Sequence, residues 1–263
     1  MIRISSSVSL PSFTKCPRIQ PISVLHHDSK RNSSSQTNTN NTARKRLGIG
    51  GWKLSSTEQC NQYASVIHTS LKNGVNTFEA NTCDDGEKFL ANAYKSAMTM
   101  DPKVISTEST NMAVKFGYRT TKNNKMEGDV CIANQRDVRG DTHNISKEYI
   151  EHTLSSSPLV TLQQQQLQQN NMNLIYMAHN PQLQALSISE EAPQDDKRGL
   201  VKERLTDSFM ALEEACGNKT IRSYGICSIG LSLSKENNLY LDWRDVLDAA
   251  CDAATAVNGK PSM

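Results

Sequence analysis

The stretch Leu174-Ile-Tyr-Met-Ala-His-Asn-Pro181 is an apolar run that ends in a polar turn. A short apolar run bounded by turn residues is typical of a buried strand, and Asn180-Pro181 supplies the turn. His179 would then end the strand, at the edge where parallel α/β sheets carry their chemistry. Two interpretations are open here: His179 is a core residue beside a turn, or it faces a substrate.

Outward from this stretch, the chain alternates between short apolar strands and amphipathic helices. The strands are predicted over residues 47–52, 75–80, 103–107, 173–178 and 220–227. The helices are predicted over residues 55–71, 87–98, 146–154, 201–216 and 242–257. Five strand–helix units predict an α/β fold with a parallel sheet. The sheet is either open and doubly wound, or it forms five of the eight units of a barrel.

Two segments interrupt this alternation. Residues 108–145 are long and polar and match neither the helical nor the strand period. Residues 163–171 are almost entirely Gln and Asn, a composition that predicts a solvated low-complexity loop.

The amino-terminal region differs in charge from the rest of the chain. Residues 1–46 hold eight Lys or Arg and one acid, a balance of +7, whereas residues 47–263 hold 21 bases and 26 acids, a balance of −5. The basic, Ser-rich start predicts that residues 1–45 are disordered, either as a transit peptide, mitochondrial ahead of chloroplast, or as the tail of a cytoplasmic protein. The mildly acidic remainder argues against a nucleic-acid partner, and no apolar run is long enough for a membrane span.

The cysteines and histidines indicate neither disulfides nor a metal. The seven cysteines include no C-x-x-C pair, and the six histidines show no H-E-x-x-H spacing. An odd, scattered set of cysteines predicts reduced thiols and no metal site.

Four segments, in this order, resemble the aldo-keto reductase family. They are Leu47-Gly-Ile-Gly-Gly-Trp52, Asn73–Glu79 followed by Asp85–Leu90, Leu174–Pro181, and Lys219–Ser228. The resemblance covers about residues 46–258 and implies a TIM-barrel (β/α)8-like domain over residues 46–263, with about five of its eight units in this sequence. It also implies NADPH-dependent reduction of a carbonyl substrate, or the reverse alcohol oxidation.

The resemblance further implies a catalytic tetrad of tyrosine, lysine, aspartate and histidine. His179 matches the histidine, and Glu79 stands at the aspartate position. Asp84 stands at the tyrosine position, where an ordinary carboxylate could not donate a proton at neutral pH. Lys115 matches a lysine segment displaced from strand three by an insert, with Glu108 as the alternative position. Tyr118 is a further hydroxyl that could reach in from the loop.

Cofactor contacts are implied at Ser228, Asn180, Gly50 and Trp52. The family's phosphate contacts come from three units that would follow residue 258, so the sequence predicts an incomplete barrel with exposed edge strands and a tendency to self-associate. Two alternatives stay open: a catalytically inactive barrel fragment that binds or regulates another protein, and an open nucleotide-binding domain. Gly48-Ile-Gly-Gly51 lacks the third glycine of the fingerprint for such a domain.

Overall fold

The computed structural model describes residues 48–50, 57–101, 109–120, 126–132, 141–165 and 172–259, with the backbone alone at 57–60 and 84. The eight strands in this part of the chain are β1 (Gly48–Gly50), β2 (Thr77–Asn81), β3 (Thr110–Phe116), β4 (Tyr118–Arg119), β5 (Val130–Cys131), β6 (Thr142–His143), β7 (Met172–His179) and β8 (Ser223–Cys227). The predicted leader over residues 1–45 lies outside these residues.

The described part of the chain contains six helices, some of which begin at a polar side chain that accepts a hydrogen bond from a free backbone N–H group. They are α1 (Thr57–Lys72), α2 (Gly86–Met100), α3 (Lys147–Ser156), α4 (Pro158–Gln165), α5 (Gln194–Gly217) and α6 (Trp243–Asn258). The Ser146 hydroxyl accepts a hydrogen bond from the backbone N–H of Tyr149 and starts α3, and the Asp242 carboxylate accepts one from Arg244 and starts α6. Each such cap stabilises its helix by about 1 kcal/mol. None of the helices in the described residues is both long and apolar enough to cross a bilayer.

The main sheet is parallel and follows the order of the chain. Its strands lie in the order β1-β2-β3-β7-β8, and every neighbouring pair is parallel. Each strand therefore lies beside the main-sheet strand that precedes it in sequence, and the described sheet contains no reversal of strand order. The fold is α/β, as predicted.

The helices cover one face of this sheet. Strand residues that alternate along β2, β3, β7 and β8 join one apolar core with the buried faces of all six described helices. These strand residues include Phe78, Met112, Val114, Leu174, Tyr176 and Tyr224. Because successive strand residues point to opposite faces, the intervening residues face away from the helices. Glu79, Lys115, His179 and Cys227 lie on that second face.

The predicted strands agree with the sheet except for the third. Strands β2, β7 and β8 overlap the predicted segments, and β1 lies within residues 47–52. The third strand was predicted at 103–107, but β3 runs from Thr110 to Phe116, and residues 102–108 lie outside the described part. The prediction over 103–107 is therefore untested, and β3 itself was not predicted. The second face of β3 carries Asn111 and Lys115, so the segment has a polar pattern although most of it is buried.

Two further elements in the polar segments were not predicted. Strands β4, β6 and β5 form a small antiparallel sheet within residues 118–143. Helix α4 runs to Gln165, so the first three residues of the predicted low-complexity loop are helical, and 166–171 lie outside the described residues. A two-residue strand is shorter than the period that sequence patterns detect.

Candidate functional site

Four polar side chains meet where strands β2, β3, β7 and β8 approach their carboxyl ends. Glu79 comes from β2, Lys115 from β3, His179 from β7 and Cys227 from β8. The strand register pairs His179 with Cys227 and places Lys115 opposite Met177. The structure thus brings three of the predicted site residues, Glu79, Lys115 and His179, to one edge of one sheet face.

Lys115 and Glu79 form an ion pair. The Lys115 Nζ atom lies 2.5 Å from Glu79 Oε1, and the Lys115 side chain is 7% exposed against 34% for Glu79. A buried ammonium ion requires such a partner, because burial without one would cost several kcal/mol. Lys115 reaches this position from within β3, so its predicted placement in a loop displaced from strand three was wrong.

Gly50 lies beside the carboxylate of this pair. In the sheet register Gly50 is opposite Glu79, and a Cβ atom at Gly50 would lie 4.0 Å from Glu79 Oε1. Gly50 is exposed. Its predicted contact with the cofactor stays a prediction.

Cys227 shares the electrostatic environment of the ion pair. Burial raises the pKa of its thiol, the Lys115 ammonium opposes the rise, and the Glu79 carboxylate adds to it. With its pKa raised, the thiol stays protonated at neutral pH, which makes it a poor nucleophile. Cys227 was not predicted as a site residue, because a single cysteine at a strand end has no characteristic spacing.

Tyr118 lies against the predicted catalytic histidine. Its ring meets the His179 ring edge-on, with centroids 4.9 Å apart and an interplanar angle of 86°. Asn180 Nδ2 donates a hydrogen bond of 2.7 Å to the Tyr118 hydroxyl. Burial raises the pKa of Tyr118, the Asn180 hydrogen bond opposes this rise, and the nearby Cys227 adds to it. The structure therefore places Tyr118 beside His179, a contact that the sequence spacing did not predict.

Gly117 makes this placement of Tyr118 feasible. Its φ of +132° is a conformation that residues with a side chain rarely adopt. A Cβ atom there would lie 2.6 Å from His143 Nε2 and 3.1 Å from the His179 carbonyl oxygen. Only glycine permits the chain to leave β3 and turn so closely past the end of β7.

A fully buried histidine holds the end of β7 from the small sheet. His143 Nε2 lies 2.7 Å from the His179 carbonyl oxygen, so this nitrogen carries the proton. The Gln184 amide donates to His143 Nδ1 at 2.7 Å, and Arg204 donates to the Gln184 carbonyl oxygen. Burial lowers the pKa of His143 to about 4, so the ring is neutral at physiological pH.

Asn180 and Ser228 are the two polar residues predicted to contact the cofactor, and both already make hydrogen bonds within the protein. Asn180 donates to Tyr118, and its oxygen accepts the backbone N–H of Ile229 at 2.9 Å. The Ser228 hydroxyl donates to Gln182 Oε1 at 2.6 Å and accepts the backbone N–H of Gly230 at 2.9 Å.

Three further residues were predicted from the sequence to belong to the site, and the structure describes none of their side chains. Asp84 lies in a short 3-10 turn, Cys83–Asp85, directly after β2, and the description there covers its backbone alone. Trp52 and Glu108 lie outside the described residues. Their predicted roles stay predictions.

An open groove of about 740 Å³ lies beside Tyr118. Tyr118 and Arg119 line it together with residues of the 3-10 turn after β2, α2 and α3, among them Asp85, Lys88 and His152. Tyr118 therefore borders both this groove and His179.

No protein-family model matches the chain, and no curated protein matches its sequence. The geometry of the site is therefore what indicates a function.

Proposed function

We propose that this protein is an aldo-keto reductase-like oxidoreductase that uses NADPH to reduce a carbonyl substrate. The observation that carries the proposal is the 2.5 Å ion pair between Lys115 and Glu79, on the same sheet edge as His179. Three residues chosen by resemblance alone come from three separate strands and lie at one edge. A buried lysine–carboxylate pair on the same sheet face as a histidine, towards the carboxyl ends of parallel strands, is an arrangement suited to proton and carbonyl chemistry.

The fold supports the barrel form of this proposal. A doubly wound sheet carries helices on both faces and reverses its strand order at a switch point. Here the strand order follows the chain, and the described helices belong to one core on one face. In a barrel the helices form an outer ring, and the site lies at the carboxyl ends of the strands. We infer that the five strands are part of such a barrel.

The residues present have hydrogen-bonding capacity for the nicotinamide end of the cofactor. An amide offers two N–H groups and two lone pairs. Among the described residues, Asn180 uses one of each, and the Ser228 hydroxyl keeps one lone pair. A carboxamide needs both a donor and an acceptor, and these two side chains offer both. When bound, the cofactor supplies a hydride.

The other residues hold the substrate and set the charge of the site. Lys115 places a positive charge near the position where the carbonyl oxygen becomes negative, and Glu79 fixes that ammonium in place. His179 extends from the end of β7 on the same face and orients the carbonyl group. The ordered sheet edge pre-positions these groups before the substrate arrives.

A catalytically inactive barrel that binds or regulates another protein is the second candidate. One observation favours it: Asp84 occupies the position at which the aldo-keto reductase family carries its tyrosine. Under this alternative the ion pair would be structural, and NADPH would bind without turnover.

Cofactor oxidation by the full chain separates the two candidates. The experiment follows the loss of NADPH absorbance with para-nitrobenzaldehyde and a panel of small ketones, for the wild type, Lys115→Met and Lys147→Met. Lys147 is the matched control, since it pairs with Glu214 at 3.2 Å on the surface. The proposal expects turnover that Lys115→Met reduces by at least about a hundredfold and Lys147→Met leaves intact. Equal rates in wild type and Lys115→Met would overturn it.

A further inference from the structure

Carbonyl reduction at this site requires a proton donor, and position 84 carries no hydroxyl. We propose that Tyr118 donates this proton to the carbonyl oxygen and that Asn180 positions its hydroxyl group. The inference rests on the proposed function and deepens it, because it assigns the acid.

The hydrogen bond from Asn180 leaves the phenolic proton of Tyr118 available. Asn180 Nδ2 is the donor and the Tyr118 oxygen the acceptor, at 2.7 Å. The phenol can therefore donate its own proton while it accepts one from the amide. The same N–H would stabilise the negative charge that forms on the oxygen when the proton leaves.

The position of Tyr118 is fixed on both sides of its ring. The ring meets His179 edge-on at 4.9 Å and His143 edge-on at 5.4 Å. The turn at Gly117, with its φ of +132°, directs the chain there from the strand that carries Lys115. Tyr118 also lines the open groove, so a substrate in that groove would reach it.

The other polar groups at this edge are less suited to the task. The Lys115 ammonium is held by Glu79. The Cys227 thiol is a weak donor of hydrogen bonds. Asn180 can donate a hydrogen bond but does not give up a proton. The Tyr118 phenol combines an acidic O–H group with a neighbour that supports its conjugate base.

Carbonyl reduction by this route balances in protons and electrons. Hydride from the reduced nicotinamide adds to the carbonyl carbon, and the π electron pair moves to the carbonyl oxygen. That oxygen takes the Tyr118 proton, so the phenolic O–H bond breaks and a substrate O–H bond forms. The electron pair left on the phenolate is reprotonated from solvent. Burial raises the pKa of Tyr118, so the phenol is protonated at neutral pH and has a proton to donate.

The test compares Tyr118→Phe with Tyr94→Phe in the full chain. Tyr94 is the control because it is also a buried tyrosine. Its hydroxyl donates a hydrogen bond to Thr110, at the opposite end of β3. We expect Tyr118→Phe to lower kcat for carbonyl reduction by at least about a hundredfold, with the NADPH Kd within about twofold of wild type, and Tyr94→Phe to leave both unchanged. An active wild type whose Tyr118→Phe variant keeps kcat within about threefold would overturn this assignment alone, whereas an inactive wild type would overturn the proposed function as well.

Two measurements keep the test decisive if Tyr118→Phe does not fold. Difluorotyrosine at position 118 keeps the ring but makes the phenol more acidic, so the alkaline limb of the kcat–pH profile should move to lower pH. An unmoved limb would contradict the proposal. The second readout needs no turnover: the 19F NMR titration of the phenol of difluorotyrosine at position 118 should shift to lower pH on addition of NADP+. A titration unaffected by the cofactor would overturn the proposal.

Discussion

Lys115 and Glu79 lie on adjacent parallel strands with Nζ and Oε1 2.5 Å apart, although their Cα atoms are not opposite each other in the register. Asn81 is the residue opposite Lys115, so the lysine side chain leans back by two residues to reach the carboxylate. The pair therefore depends on the length of both side chains, and this dependence can be tested.

Glu79→Gln should impair both stability and turnover. The substitution removes the charge that compensates Lys115, which is almost fully buried. We expect the free energy of unfolding to fall by about 1–3 kcal/mol, discounted because Glu79 is one third exposed. Carbonyl reduction should fall at least about tenfold. Denaturant unfolding and steady-state kinetics measure the two effects, and Glu203→Gln, at an exposed glutamate of α5, is the control. A Glu79→Gln protein that matches this control in both measurements would contradict a role for the charge.

Gly117→Ala should be strongly destabilising. The new methyl group would meet His143 Nε2 at 2.6 Å in a backbone conformation that alanine avoids. We expect a loss of about 1–3 kcal/mol of unfolding free energy. Gly199→Ala is the control, because Gly199 is exposed within α5 with open space around it. That control should gain about 0.5–1 kcal/mol, and a Gly117→Ala protein as stable as the control would show that the turn is not constrained.

His143 should make the protein less stable in acid. Its pKa is about 4 in the folded state and 6.5 when unperturbed, so between these values the unfolded chain binds a proton that the folded chain does not. The stabilisation is therefore complete above pH 6.5 and is lost as the pH falls towards 4, at no more than about 1.4 kcal/mol per pH unit. His143→Gln should remove this slope. Other groups titrate in the same window, so the wild-type minus variant difference is the quantity to measure, and parallel curves would refute the assignment.

Glu87 should make the protein less stable as the pH rises, the opposite of the effect of His143. It is buried beside Ser157 and Tyr176, and burial raises its pKa although hydrogen bonds from both hydroxyls oppose the rise. A raised folded-state pKa gives stability that is present below the unperturbed value of 4.5 and is lost as the pH rises through the folded value. Relative to wild type, Glu87→Gln should thus become more stable as the pH increases from 4.5 upward. Chemical unfolding across this range measures the trend, and a pH-independent difference would contradict it.

The sequence predicts much of the fold because most strands have an apolar period and a clear turn. The segment from Leu174 to Pro181 is apolar on both faces except at its end, so both β7 and the position of His179 can be predicted. Strand β3 was not predicted because part of it is polar. The second face of β3 carries Lys115, and its start carries Thr110 and Asn111, so the pattern reads as a polar loop.

The site is predictable only where it depends on strand ends. Glu79 and His179 lie on strands that the sequence predicts, whereas Lys115 was selected by resemblance and lies on a strand that was not predicted. Tyr118 and His143 belong to two-residue strands separated by 24 positions in the chain, and their contact arises from the pairing of β4 with β6. No local spacing encodes such a contact, so Tyr118 could be named from the sequence only as a hydroxyl that could reach in, and His143 was not predicted.

The most direct measurement is a titration of the full chain with NADPH, followed by the fluorescence of its two tryptophans, with NADH as comparison and Lys115→Met as the variant. The account predicts saturable quenching by NADPH, followed by cofactor oxidation when an aldehyde is added to the wild type but not to the variant. A folded chain that shows no saturable response to either nucleotide would contradict the central claim that this sheet edge is a nicotinamide-dependent reductase site.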